Sequence, residues 1–426
     1  MRHRALLTFA ASTALLLSAA TAHAGDEDLG TRPAMKPKAA EPAAPAPAAD
    51  SRYATPPGYD RVEGDVERSQ VRAVDAPIAS DPPGDWAVMH AGLRPHLGTF
   101  GGVATFALAH ARTERFYGIF SLSAIRNDAG THVGVAQIAL GRNLSDDFVG
   151  GLQLSPAENR AREHVGLGQV SLGYNRAGEI TALTQLGGYN RARVFHGALQ
   201  LGGYNRADES FVGLAQVGGF DHAQKRFAGV AQVGVVSLTG EDLFGEGSKG
   251  DHRFAGVAQV GFLTATHGNF RGLMQVGAGA ATWGEFVGGV QIGGAAAYSE
   301  KFKGLAQIGT VAASNHSVGM QIGAVAMAFD EHDGLQLGVA GNYATRIEGA
   351  QIGLANFAKD VRGVQIGVFN HTRNLRGVQI GLANHAEDGV LPWTTILNMG
   401  FGDGDGGGPD ELESRRSASR GRGRSY

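Results

Sequence analysis

Few residues of this 426-residue chain stand at spacings that could do chemistry. Gly245, Gly247 and Gly250 form a GxGxxG, the pattern with which a strand-to-helix turn cradles a pyrophosphate. No helical pattern and no Gly-Lys-Ser/Thr accompany it, so it reads as a loop insertion. Asp403, Asp405, Gly407 and Gly408 imitate the opening of a calcium loop, yet Pro409 follows and no glutamate closes it, so the segment reads as a solvated tail. The 15 histidines include no HExxH pair and have no cysteine to join, which argues against a zinc site. No GxSxG elbow occurs, and nothing marks a Ser, Asp or Glu as buried beside a base. The sequence therefore offers no catalytic residue, no metal site and no cofactor site, and the expectation is a protein that is not an enzyme.

One constellation points to binding instead. TyrAsnArgAla occurs at 174 to 177, 189 to 192 and 204 to 207. If these copies stack, Tyr174, Tyr189, Tyr204 and Phe220 form an aromatic ridge, and Arg176, Arg191 and Arg206 run beside it about 4.8 Å apart. Guanidinium groups that close repel unless an anion counters them, which suits an acidic polysaccharide or a lipid headgroup. The plainer alternative is that Asp208 and Glu209 neutralise the arginines and the aromatic residues only cover an edge.

What would position such a strip is a repeat. A glutamine followed by Ile, Leu or Val and then a small residue recurs at Gln137, Gln153, Gln169, Gln185, Gln200, Gln216, Gln232, Gln259, Gln275, Gln291, Gln307, Gln321, Gln336, Gln351, Gln365 and Gln379. The step is 14 to 16 residues with one interval of 27, and Ser121 and Thr105 extend the series backwards as degenerate copies, giving about 18 units. So short a period means one small structural unit stacked many times. With Gly 66 of 426, a helical reading fails, because each interior glycine costs roughly 1 kcal/mol relative to alanine. Val364, Ile366 and Val368 alternate with Gly363, Gln365 and Gly367, the period-two pattern of a half-buried strand.

The flanks differ in kind. Arg2 and Arg4, the apolar run 5–20 and AlaHisAla at 22 to 24 make a signal-peptide pattern over residues 1–24, with cleavage expected between Ala24 and Gly25. Residues 25–84 are rich in Pro and Ala and read as a disordered tether, and 402–426 as a disordered Gly/Arg-rich tail, which leaves 85–401 as the β-repeat domain. With no cysteine, disulfides and lipoprotein acylation are excluded, and a net charge of -3 with few long charged runs argues against a nucleic-acid partner.

Two architectures fit the unit. In a β-solenoid each unit is one coil and equivalent residues stack in parallel; in a transmembrane up-and-down barrel of about 18–20 strands, neighbouring units run in opposite directions. The consecutive TyrAsnArgAla copies and the recurrent Asn five or six residues after the glutamine follow a single-unit rather than a two-unit period. Stacked amides can bond along such a ladder. Phenylalanines five residues before the glutamine, Phe148, Phe195, Phe211 and their successors, serve either architecture. The expectation is an all-β solenoid, with the barrel as the alternative. Trp86 to Phe100 and Leu391 to Phe401 would cap its ends.

GlyAlaGlnIleGlyLeuAlaAsn at 349 to 356, GlyValGlnIleGlyValPheAsn at 363 to 370, GlyValGlnIleGlyLeuAlaAsn at 377 to 384 and LeuProTrpThrThrIleLeuAsnMetGlyPhe at 391 to 401 resemble the bacterial surface-repeat proteins built on GLQIGLxN units with a closing LP…N-x-GF segment. The resemblance covers roughly residues 100 to 401 and is strongest in the last five units. It implies export, a location in the cell envelope, outer membrane or cell surface, and no enzymatic activity. GVQIG is also similar to the 14-residue β-roll phrase of trimeric adhesin heads. The expected role is structural or adhesive, with a pore or membrane anchor as the alternative should the barrel hold.

Overall fold

In a computed structural model, residues 85–240 and 252–401 are described, and every regular element among them is a β-strand. The signal, tether and tail expectations, the GxGxxG and the Asp403 motif lie outside those residues. The strands form an 18-stranded sheet wound into a β-solenoid. Neighbouring coils pair in parallel and one unit out of step, so that Gln137 faces Gln153, Gln153 faces Gln169, Gln200 faces Gln216 and Gln365 faces Gln379. The register holds across the 27-residue interval, where Gln232 faces Gln259. This corrects the barrel alternative: a barrel needs antiparallel neighbours, and among the described residues the one antiparallel pairing of strands is that of the final strand Trp393–Phe401 on Asn374–Ala386.

Three rows of side chains fill the interior. The first carries rings: Phe100, Phe116, His132, Phe148 and His164 stack with centroids 4.5 to 5.4 Å apart. After Ile180 the row resumes from Phe195 to Phe302 at 4.7 to 5.2 Å. Toward the C-terminus Ile347, Val361 and Leu375 replace the rings in a separate cluster. Burial of this row supplies the apolar term of folding, about 1.5–3 kcal/mol for each large side chain.

The second row is the glutamines, all fully buried. Each donates an Nε2 hydrogen to Oε1 of the preceding glutamine at 2.7 to 3.1 Å, without a break from Gln153 to Gln379. In most coils the other Nε2 hydrogen crosses the coil to a backbone carbonyl six or seven residues on, as from Gln259 to Ala265 and from Gln379 to His385. A buried amide left unpaired would cost about 1–3 kcal/mol, so the ladder is what permits the period-two pattern to bury its glutamine side and turn Ile366 and Val368 outward.

The third row is Asn143, Asn159, Asn175, Asn190 and Asn205, then Asn342, Asn356, Asn370 and Asn384. Here each residue donates Nδ2 forward, to the next Oδ1, at 2.7 to 3.0 Å. The two amide ladders therefore run in opposite senses and their dipoles oppose, which is the favourable arrangement for parallel rows. A glycine two residues after the glutamine makes room for this row. An added Cβ on Gly367 would come within 2.6 Å of Asn356 Nδ2, and one on Gly381 within 2.7 Å of Asn370 Nδ2.

The final strand closes the stack. Asn398 Nδ2 donates to the last acceptor of the glutamine ladder, Gln379 Oε1, at 3.3 Å, and Trp393 packs on His385 at 4.4 Å. At the other end the strand Asp85–Gly92 joins in parallel as one more partial coil.

Candidate binding surface

The coils bring the sequence-predicted strip together. Tyr189, Tyr204 and Phe220 stack at 4.9 Å with nearly parallel rings, and Tyr174 lies 5.6 Å from Tyr189, tilted by 52°. Parallel pairing keeps the row in register, Tyr204 opposite Phe220 and Asn205 opposite Asp221. Because the rings cover one another, the ridge presents its edges rather than open faces.

The arginines are not equivalent. Asp208 holds two of them, Arg191 at 2.9 Å and Arg206 at 2.7 Å. Arg206 is half-buried; desolvation works against its charge, but its bonds to Asp208 and Tyr204 outweigh that and raise its pKa above the usual arginine value. Glu209 is engaged by Arg193 and Lys225 instead. Arg176 lies over the Tyr174 ring at 5.6 Å, and its Nε has no hydrogen-bond partner. One carboxylate offsets only one of the two arginines it binds, so the strip stays net positive, and Arg176 is the arginine that Asp208 does not engage.

Sequence reasoning passed over two groups that the coils bury. His132 and His164 sit within the phenylalanine row, with neither ring nitrogen hydrogen-bonded, and desolvation lowers their pKa values to about 3 and about 4. His332 also lies inside, its Nδ1 2.6 Å from Ser317 Oγ and its pKa lowered to about 4 by burial. The signal was present, since His132 and His164 stand five residues before a glutamine, where other units place Phe.

Asp221 is the second. It ends the first asparagine run by accepting from Asn205 Nδ2 at 2.7 Å, and burial raises its pKa to about 7 despite bonds from Asn205 and the Gly218 backbone. Its Oδ2 stands where an asparagine would place Nδ2. A Cβ on Gly234 would meet Asp221 Oδ2 at 2.6 Å, as one on Gly218 would meet Asn205 Nδ2 at 2.6 Å. A protonated Asp221 therefore copies the shape of asparagine, with one donor hydrogen in place of two. Beyond it Ser237, Thr264 and Ala280 continue the position.

Open grooves run along the stack between the residues one and three after the glutamine, and another hollow lies beside the closing strand, against Leu391, Trp393 and Leu397. One groove is lined by Leu154, Val170, Leu172 and Leu186 and another by Ile352, Leu354, Ile366 and Val368, both floored by glycine or serine. Among the described residues no group of three or more His, Asp or Glu could hold a metal ion. The fold defines a β-solenoid repeat protein. Compared with known proteins, the chain matches no family model, no curated protein and no solved structure.

Proposed function

We propose that this chain is an exported, non-enzymatic repeat protein of the cell envelope or surface, with a structural or adhesive role. Its stacked coils present an extended side to an acidic polysaccharide or an anionic lipid headgroup. The observation that supports this reading is the in-register row from Tyr174 to Phe220 with Arg176 uncompensated beside it. A polymer of anionic sugars would meet an aromatic edge on four successive coils, from Tyr174 to Phe220, so that weak contacts add through effective concentration. The buried amides leave little polar chemistry for an enclosed site, since the glutamines and most asparagines are committed to their ladders.

Binding of the full chain to immobilised acidic polysaccharide, measured at low and physiological salt, tests the idea. The triple substitution Arg176→Ala, Arg191→Ala and Arg206→Ala is expected to weaken retention at least about tenfold, with Arg176→Ala alone giving most of the loss. Unchanged retention in the triple variant removes this surface from consideration. Cell fractionation with a carbonate wash tests the envelope location separately.

A further inference from the structure

Charge is segregated around the coil. From two residues before each glutamine, or before its counterparts Thr105 and Ser121, to the third residue after it, none of the 18 coils contains Asp, Glu, Lys, Arg or His. The charged side chains and their coil-to-coil ion pairs, such as Arg162 with Asp147, Lys303 with Glu285 and Arg362 with Glu348, lie on the remainder of the circuit.

The uncharged side is also the one that exposes large aliphatic groups. In the longer coils the residue two before the glutamine carries a ridge: Val135, Leu167, Leu183, Leu214, Leu273 and Leu305 are 51 to 69% exposed. Three residues after the glutamine large aliphatic groups stand out again toward the two ends of the stack, Leu108, Leu140, Leu172, Val339, Leu354 and Leu382 at 58 to 83%, while Gly188, Gly203, Gly219 and Gly294 interrupt the row between them. Eighteen coils at about 4.8 Å, and some five residue steps at roughly 3.3 Å between the ridges, make a face of about 1,400 Å². The largest apolar patch of an ordinary monomer is about 300–600 Å².

We propose that this face is the interface with a second copy of the chain. About 1,400 Å² from each copy exceeds the roughly 800 Å² per partner of a standard interface, and the sum falls in the range of obligate homodimers. A second copy also brings ridges of the same pitch, set by the same inter-strand spacing, so side chains can interdigitate where the ridges stand, and the glycine stretches of one copy leave room for the ridges of the other. The borders match protein-interface anatomy, an apolar centre flanked by the tyrosine and arginine row on one side and the ion-paired side chains on the other. Pairing in this way leaves the charged remainder of each circuit facing water.

The test uses the full chain without detergent. The expected result is a light-scattering mass of twice the chain mass at micromolar concentration, halved by Leu214→Lys together with Leu273→Lys, with the β-sheet circular dichroism retained. Because the chain has no cysteine, single replacements give a second measurement that does not depend on those variants folding. Leu273→Cys is expected to form a disulfide-linked dimer on mild oxidation, whereas Glu209→Cys, on the charged side, is not. A single-chain mass for the unsubstituted protein overturns the proposal. Flotation of that single chain with phosphatidylcholine vesicles would assign the face to a lipid surface instead; no flotation would leave it a free surface.

Discussion

The coils up to Gln307 and the five from Gln321 to Gln379 solve the same corner in two ways. The longer coils turn with one additional residue before the glutamine and point its side chain outward, as at Leu214 and Leu305. The shorter coils omit that residue, and the glycine before the glutamine turns the chain by itself: Gly319, Gly334, Gly349, Gly363 and Gly377 have φ between 121° and 143°. That conformation is strained for a residue with a Cβ. The cores differ in step, stacked rings in the long coils and Ile347, Val361 and Leu375 in the short ones. The glutamine ladder passes through both unchanged. The lesson is that the amide ladder fixes the register, while the corner and the ring row are free to vary.

The largest effect that would sharpen this contrast is expected at a short-coil corner. Gly363→Ala puts a Cβ 1.9 Å from the Gly349 carbonyl oxygen at a φ of 138°, and should cost about 4 kcal/mol in urea unfolding. Gly203→Ala in a long coil, with 3.1 Å to Gly188 O as its one close approach, should cost less than about 1 kcal/mol. Gly203 lies three residues after its glutamine, away from either corner, so equal costs would show that the positive φ of the short-coil corner carries no strain.

Asp221→Asn comes next and is confined to the long coils. The folded pKa of Asp221 is raised from 3.8 to about 7, so the native state holds its proton more tightly than the unfolded chain. Stability from this group is complete below about pH 4 and is lost as pH rises to about 7. The substitution should therefore add about 4 kcal/mol at pH 8 and under about 1 kcal/mol at pH 4, read from paired denaturation curves.

His132→Phe should give the smallest change, with the opposite sign in pH. Its folded pKa is lowered from 6.5 to about 3, so the native state binds the proton less tightly, and stability present above pH 6.5 is lost as pH falls toward 3. Continuing the phenylalanine row should recover about 2 kcal/mol at pH 5 and little at pH 8. Parallel acid sensitivity in the substituted and unsubstituted proteins would show that this row does not set the acid limit of the long coils.

Much of this architecture was legible in the glutamine and asparagine spacings, because residues that bond to their own copies must recur at the period of the coil. TyrAsnArgAla in three consecutive units carried the same information about direction. Period-two alternation, by contrast, says that Val364, Ile366 and Val368 share a side, not which side is buried. Only the ladder, a property of many coils together, makes glutamine the cheaper residue to bury. The pairing of Arg191 and Arg206 with a single carboxylate depended on side-chain reach across coils, which left both neutralised and uncompensated arginines consistent with the sequence. His132 and His164 were hidden for a simpler reason: their ring shape fits the phenylalanine row, while their titration behaviour depends on how completely that row excludes water.

Because every glutamine gives its hydrogen toward the N-terminus, the two ends of the ladder are chemically distinct. The growing end always offers a bare acceptor, and any coil with a glutamine in register can satisfy it until Asn398 does so as the terminal donor. Removing or duplicating one whole unit in the middle would leave each donor matched to an acceptor. The length of the molecule is thus a variable that unit duplication can adjust without redesigning either end.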